Sequence, residues 1–169
     1  MKLTAVALLM VVFLCSALQA KEAAKDSPAA AGFEKLKSLA GDWEGQDAQG
    51  KAAKTSFQMA AGNTAVMETL SPGDMEQMIT IYSIDGDGIA LVHFCPTNNQ
   101  PRMRALPASG NVSELTFAFQ GAGNLPSLAI GHEHKLVMRF EAPDRLTETW
   151  TWRRNGKDTD FVYHFTRKK

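Results

Sequence analysis

The sequence predicts an all-β fold, an antiparallel up-and-down β-barrel of about ten strands with one short N-terminal helix before the first. Three observations carry that prediction. From residue 42 onward the chain is a series of short segments rich in β-branched and aromatic residues. Compact turn signals separate them, Asn155-Gly156 being the strongest, because both central residues of a type I′ turn need positive φ. The last segments alternate apolar and polar residues with period two, as strands with one buried face do.

Residues 1–20 read as a cleavable signal peptide. Lys2 supplies the positive start, Leu3 to Leu14 an uncharged apolar run, and Leu18-Gln19-Ala20 a small residue before a cut, with Lys21 as the expected mature N-terminus. The apolar run is shorter than the roughly 20 residues a spanning helix needs. A retained anchor is the competing reading, and no stable membrane span is expected after cleavage. Leu14 stands where a lipoprotein signal would have a small residue before Cys15, which argues against lipidation. The expected location is therefore secreted or periplasmic. Cleavage would leave Cys95 as the only cysteine and stability to the hydrophobic core, for which the remaining length suffices once but not twice.

Residues 21–32 are rich in Ala and Lys and contain Pro28 and Gly32; they read as a flexible leader to a domain spanning 33–169. Phe33, Leu36 and Leu39 share one face of a short helix that Gly41 ends. The expected strands are 42–47, 53–60, 64–70, 75–84, 88–95, 101–107, 113–120, 132–141, 145–153 and 157–167, and 121–131 is the longest expected loop. Leu115, Phe117 and Phe119 share a face, as do Leu146, Glu148, Trp150 and Trp152, and again Phe161, Tyr163 and Phe165. Ten such strands can close without exposed edges and leave room inside. A two-sheet sandwich is the competing architecture.

Lysine plus arginine and aspartate plus glutamate both number 18, so no basic excess points to nucleic acid. The segment His93–Arg104 concentrates an imidazole, a thiol, three amides and two guanidiniums at a strand junction. It fits a barrel mouth where the polar end of a ligand is oriented, by His93, Asn98, Asn99, Gln100 and whichever of Arg102 and Arg104 points inward, with Trp150 among the apolar walls. The competing reading is a polar hairpin serving turn chemistry. His93 and Cys95, at i and i+2 on a strand, sit roughly 6–7 Å apart, too far for a thiol–imidazole pair. His132 and His134 have a spacing that can serve zinc, with His93 or His164 as a third ligand, but the spacing is a weak signal and loop-end histidines exposed to water are the favoured reading. Glu148 is a buried carboxylate with a partner or part of the strand's rim, and acid–base work would need a second carboxylate that the sequence does not place. No catalytic residue, metal or cofactor is assigned.

The run Leu39-Ala40-Gly41-Asp42-Trp43-Glu44-Gly45 resembles the opening of the calycin superfamily, the lipocalins and fatty-acid-binding proteins, whose first strand begins Gly-x-Trp after a short helix. The layout is also similar to a nitrobindin-type haem barrel and to secreted bacterial proteins of calycin type. The lipocalin resemblance implies that an Arg on the last strand packs across that Trp and closes one end, which makes Arg167 the partner of Trp43. It implies an exported barrel that binds a small amphipathic or anionic molecule. A non-catalytic envelope structural or interaction protein is the alternative, followed by a haem-binding barrel with His164 as ligand and by a hydrolase. His164 alternates with Phe161, Tyr163 and Phe165, so it points outward if those aromatics line the interior.

Overall fold

Every strand pairs antiparallel with its neighbours in the chain and the last pairs with the first, closing a ten-stranded barrel in sequence order. The computed structural model describes residues 27–107 and 110–169; the expected signal peptide (1–20) and residues 21–26 of the leader lie outside the described residues. The strands are β1 (Gly41–Asp47), β2 (Ala52–Ala60), β3 (Ala65–Pro72), β4 (Met78–Asp85), β5 (Gly88–Phe94), β6 (Gln100–Ala105), β7 (Glu114–Gly123), β8 (His132–Ala142), β9 (Arg145–Arg154) and β10 (Lys157–Arg167). Asn155 and Gly156 have φ of 51° and 72°, as a tight turn between β9 and β10 needs.

The helix α1 (Pro28–Lys37) starts five residues before the position expected from the apolar spacing, so part of the stretch read as flexible leader is helical. Two residues that read as breakers are used otherwise. Pro28 occupies the first turn, where no backbone donor is needed, and Ser27 Oγ caps the helix by accepting from Ala30 N at 3.1 Å. Gly32 lies against Ile89 and Pro107, where a Cβ would come within 2.9 Å of the Ile89 side chain. Its lack of a side chain lets the helix sit down on the barrel.

Helix α1 and the start of β1 close one end. Phe33, Leu36 and Leu39 are buried with Trp43, whose indole Nε1 donates to Leu39 O at 2.8 Å. The Arg167 guanidinium lies 4.3 Å from the centre of that indole. Its terminal nitrogens donate to Ala40 O and Ser38 O, each at 2.6 Å. Trp43 and Arg167 are also direct partners across β1 and β10. Closure depends on Gly45, opposite Phe165, because a Cβ there would overlap the His164 carbonyl.

Above this end a layer of large side chains fills the interior, among them Phe57, Tyr82, Leu91, Met103, Phe117 and Met138. The connections β1–β2, β3–β4, β5–β6, β7–β8 and β9–β10 gather at the opposite end, the mouth. There the wall is less regular. Pairing of β7 with β8 stops at Ala118–Lys135, and the register of β8 against β9 shifts between Glu133 and Lys135.

Candidate functional site

A cavity of about 390 Å³ opens at the mouth. Its walls are Leu70 of β3, Met78 of β4, Trp150 and Trp152 of β9, and Phe161 and Tyr163 of β10; Met75, Glu76, Cys95, Pro96 and Thr97 form the rim. The alternation expected for β9 and β10 places their aromatics here: Trp150 is the direct partner of Phe161, and Tyr163 of Glu148. A volume in the lower range for small-molecule sites, lined by apolar and aromatic groups, suits a ligand with an apolar body.

One polar group breaks this lining. Glu133 of β8 faces the cavity, is only 7% exposed, and its Oε2 is buried without a hydrogen-bond partner. The register shift in β8 puts it there. Leu136 pairs with Trp150, so an unbroken strand would set His134 opposite Trp152; with the shift, Glu133 takes that place. Irregularities of this kind re-aim side chains near functional sites. Burial pushes the Glu133 carboxyl up to about 8, so it is largely protonated at neutral pH. Tyr163 is held up to about 12, by burial first and then by the Glu133 charge.

Beneath the cavity, polar side chains run through the interior. Trp150 Nε1 donates to Glu148 Oε2 at 3.1 Å. Glu68 of β3, also fully buried, accepts from Thr55 Oγ1 at 2.9 Å and from Tyr82 OH at 2.6 Å. Burial raises both carboxyls; the Glu68 charge pushes Glu148 further up, whereas the bonds from Tyr82 and Thr55 hold Glu68 back. Glu148 is therefore held the higher of the two, and its Oε1 is buried without a hydrogen-bond partner. Glu68 is thus the second carboxylate beside Glu148, and the order Val66, Glu68, Leu70 on one face of β3 was the available signal for it.

His93 joins this interior set. It is buried, its Nδ1 lies 2.9 Å from Thr80 Oγ1, and its ring centre is 4.6 Å from that of Trp150. Burial lowers it to about 4, so it is a neutral imidazole. Its Nε2 has no partner.

The rest of the expected polar mouth is arranged differently. Arg102 and Arg104 point away from the interior, because Pro101, Met103 and Ala105 occupy the inner face of β6. Arg104 is bound to Asp85 and Asp87 of the β4–β5 turn, at the closed end. Neither arginine can orient an anion inside, which corrects the inward-arginine expectation. Asn98 has a φ of 66° and its carbonyl accepts from Gln100 and Asn124, so Asn98 and Gln100 serve the turn. Asn99 is buried and donates to Gly131 O at 2.9 Å, fixing the loop that leads to Glu133. Gly131 in turn abuts the Trp152 ring closely enough that a Cβ would overlap it.

The histidines of β8 are not water-exposed loop ends. His132 is fully buried, with its Nε2 3.3 Å from His134 Nδ1, and both rings pack on Phe119 where β7 and β8 part. His134 also meets the Arg153 guanidinium at 2.6 Å. His93 lies in the interior and His164 on the exposed face beside Thr147, so neither joins them. Among the described residues no three His, Cys, Asp or Glu side chains are grouped to hold a metal ion, and no helix is long and apolar enough to cross a membrane. No protein-family model matches the chain, and no curated protein matches it either.

Proposed function

We propose that the protein is a non-catalytic, exported barrel of calycin type that binds a small amphipathic molecule at its mouth. The observation that carries this reading is the 390 Å³ cavity with aromatic walls and one convergent, unpartnered carboxyl. Apolar walls supply most of the burial energy of a ligand and a single polar group fixes its orientation. The calycin assignment draws support from the ten-stranded closure, the helix before β1 and the Trp43–Arg167 contact. Export draws its support from the first 20 residues. The arginine positions favour a ligand whose polar end donates hydrogen bonds over an anion.

Trp150, Trp152 and Cys95 line the cavity and provide two readouts. Titration with octanol should shift tryptophan emission and slow alkylation of Cys95, read by peptide mass. If neither changes with millimolar octanol or with its amine and carboxylate analogues, the reading fails. An interaction role at the same end would then lead, since the exposed Met75, Phe94, Leu128, Ile130 and Phe161 all lie on the mouth half.

A further inference from the structure

We propose that the mouth cavity selects an organic cation, a primary amine on an apolar body, whose ammonium donates to the Glu133 carboxylate. The inference rests on the ligand-binding reading and names its ligand class. Three observations favour an amine over an alcohol or an acid. The buried Oε2 of Glu133 has no hydrogen-bond partner among the described residues, so once ionised it is an acceptor that a ligand's donor can satisfy. No Lys, Arg or His lines the cavity, and its other charged residue is the acidic Glu76 on the rim. The remaining walls offer Trp150, Trp152, Phe161 and Tyr163, rings whose faces attract an ammonium.

The other titratable groups that line the cavity with Glu133 are Tyr163, Glu76 and Cys95. Trp152 is its uncharged partner across β9, Tyr163 on β10 stays a phenol, Glu76 comes from the β3–β4 connection and the Cys95 thiol from the β5–β6 turn. On β8 itself, His132 and His134 are turned to each other and to Arg153. With Glu133 held up to about 8, a neutral carboxyl meets an alkylammonium at pH 7. Pairing then forms an ammonium–carboxylate contact and releases the carboxyl proton to solvent, about one per ligand.

The test is calorimetric titration of the full chain with octylamine, octanol and octanoate, in two buffers of different protonation enthalpy, from pH 6 to 9. Octylamine should bind at least about tenfold more tightly than octanol at pH 8 and octanoate most weakly, in keeping with the strength of charge-assisted bonds. Amine affinity should rise up to about tenfold per pH unit below pH 8 and level off above it. In Glu133→Gln the amine should fall to the level of the alcohol and the proton release should vanish, with octanol nearly unaffected. An amine no tighter than octanol, or an amine advantage that survives Glu133→Gln, overturns the amine assignment and leaves the cavity as a general apolar site. Failure of all three to bind wild type below millimolar concentration overturns the ligand reading as well.

Discussion

Glu133→Gln should stabilise the free protein, and by an amount that depends on pH. In the unfolded chain the carboxyl titrates near its ordinary 4.5, whereas in the folded protein it holds its proton up to about 8. Between those values the unfolded state has released a proton that the folded state keeps, so stability falls as pH rises through this window. A difference of about 3.5 units at about 1.36 kcal/mol each gives on the order of 5 kcal/mol lost from the wild type by pH 8.5. Glutamine has nearly the same shape and does not ionise, so the variant escapes that loss. Urea denaturation followed by tryptophan emission at pH 4.5, 6, 7 and 8.5 measures the difference directly. The variant should match wild type near pH 4.5 and exceed it by several kcal/mol at pH 8.5. His93, lowered to about 4, weakens both proteins alike as pH falls from about 6.5 toward 4, and therefore cancels. A stability difference that stays flat with pH would refute the buried, unpartnered placement of Glu133.

Trp43→Ala should cost about 3–5 kcal/mol in denaturant unfolding as a large-to-small core change, and a loss below about 1 kcal/mol would remove the residue from the closure. Gly45→Ala should destabilise by about 1–3 kcal/mol or more, because β10 backbone occupies the space of the new methyl; a neutral thermal melt would contradict the tight β1–β10 approach. The double change Arg102→Met and Arg104→Met should leave octanol and octylamine titrations unchanged, and a tenfold loss would place an arginine at the ligand after all.

The strands were legible because alternation and turn chemistry agreed along the chain. In β9 the order Leu146, Glu148, Trp150, Trp152 set the inner face, and Asn155-Gly156 fixed the turn into β10. The helix start was less legible, since Pro28 and Gly32 break most helices and here serve a first turn and a close contact. The polar density of His93–Arg104 suggests an inward arginine, but Met103 stands between Arg102 and Arg104, and in a two-residue period the apolar residue takes the interior and turns both outward. The Glu68–Glu148 pair could have been found by extending the same argument to β3. Glu133 could not. Its inward turn depends on one register shift against β9, and by unbroken alternation from Leu136 it would face outward.

A crystal structure of the protein grown with octylamine tests the central claim most directly. The alkyl chain should lie against Leu70, Trp150 and Phe161, with the nitrogen about 2.7–2.9 Å from a Glu133 carboxylate oxygen and the strands unmoved. An amine bound elsewhere, or a mouth closed by its own side chains with Glu133 turned to solvent, would contradict the account.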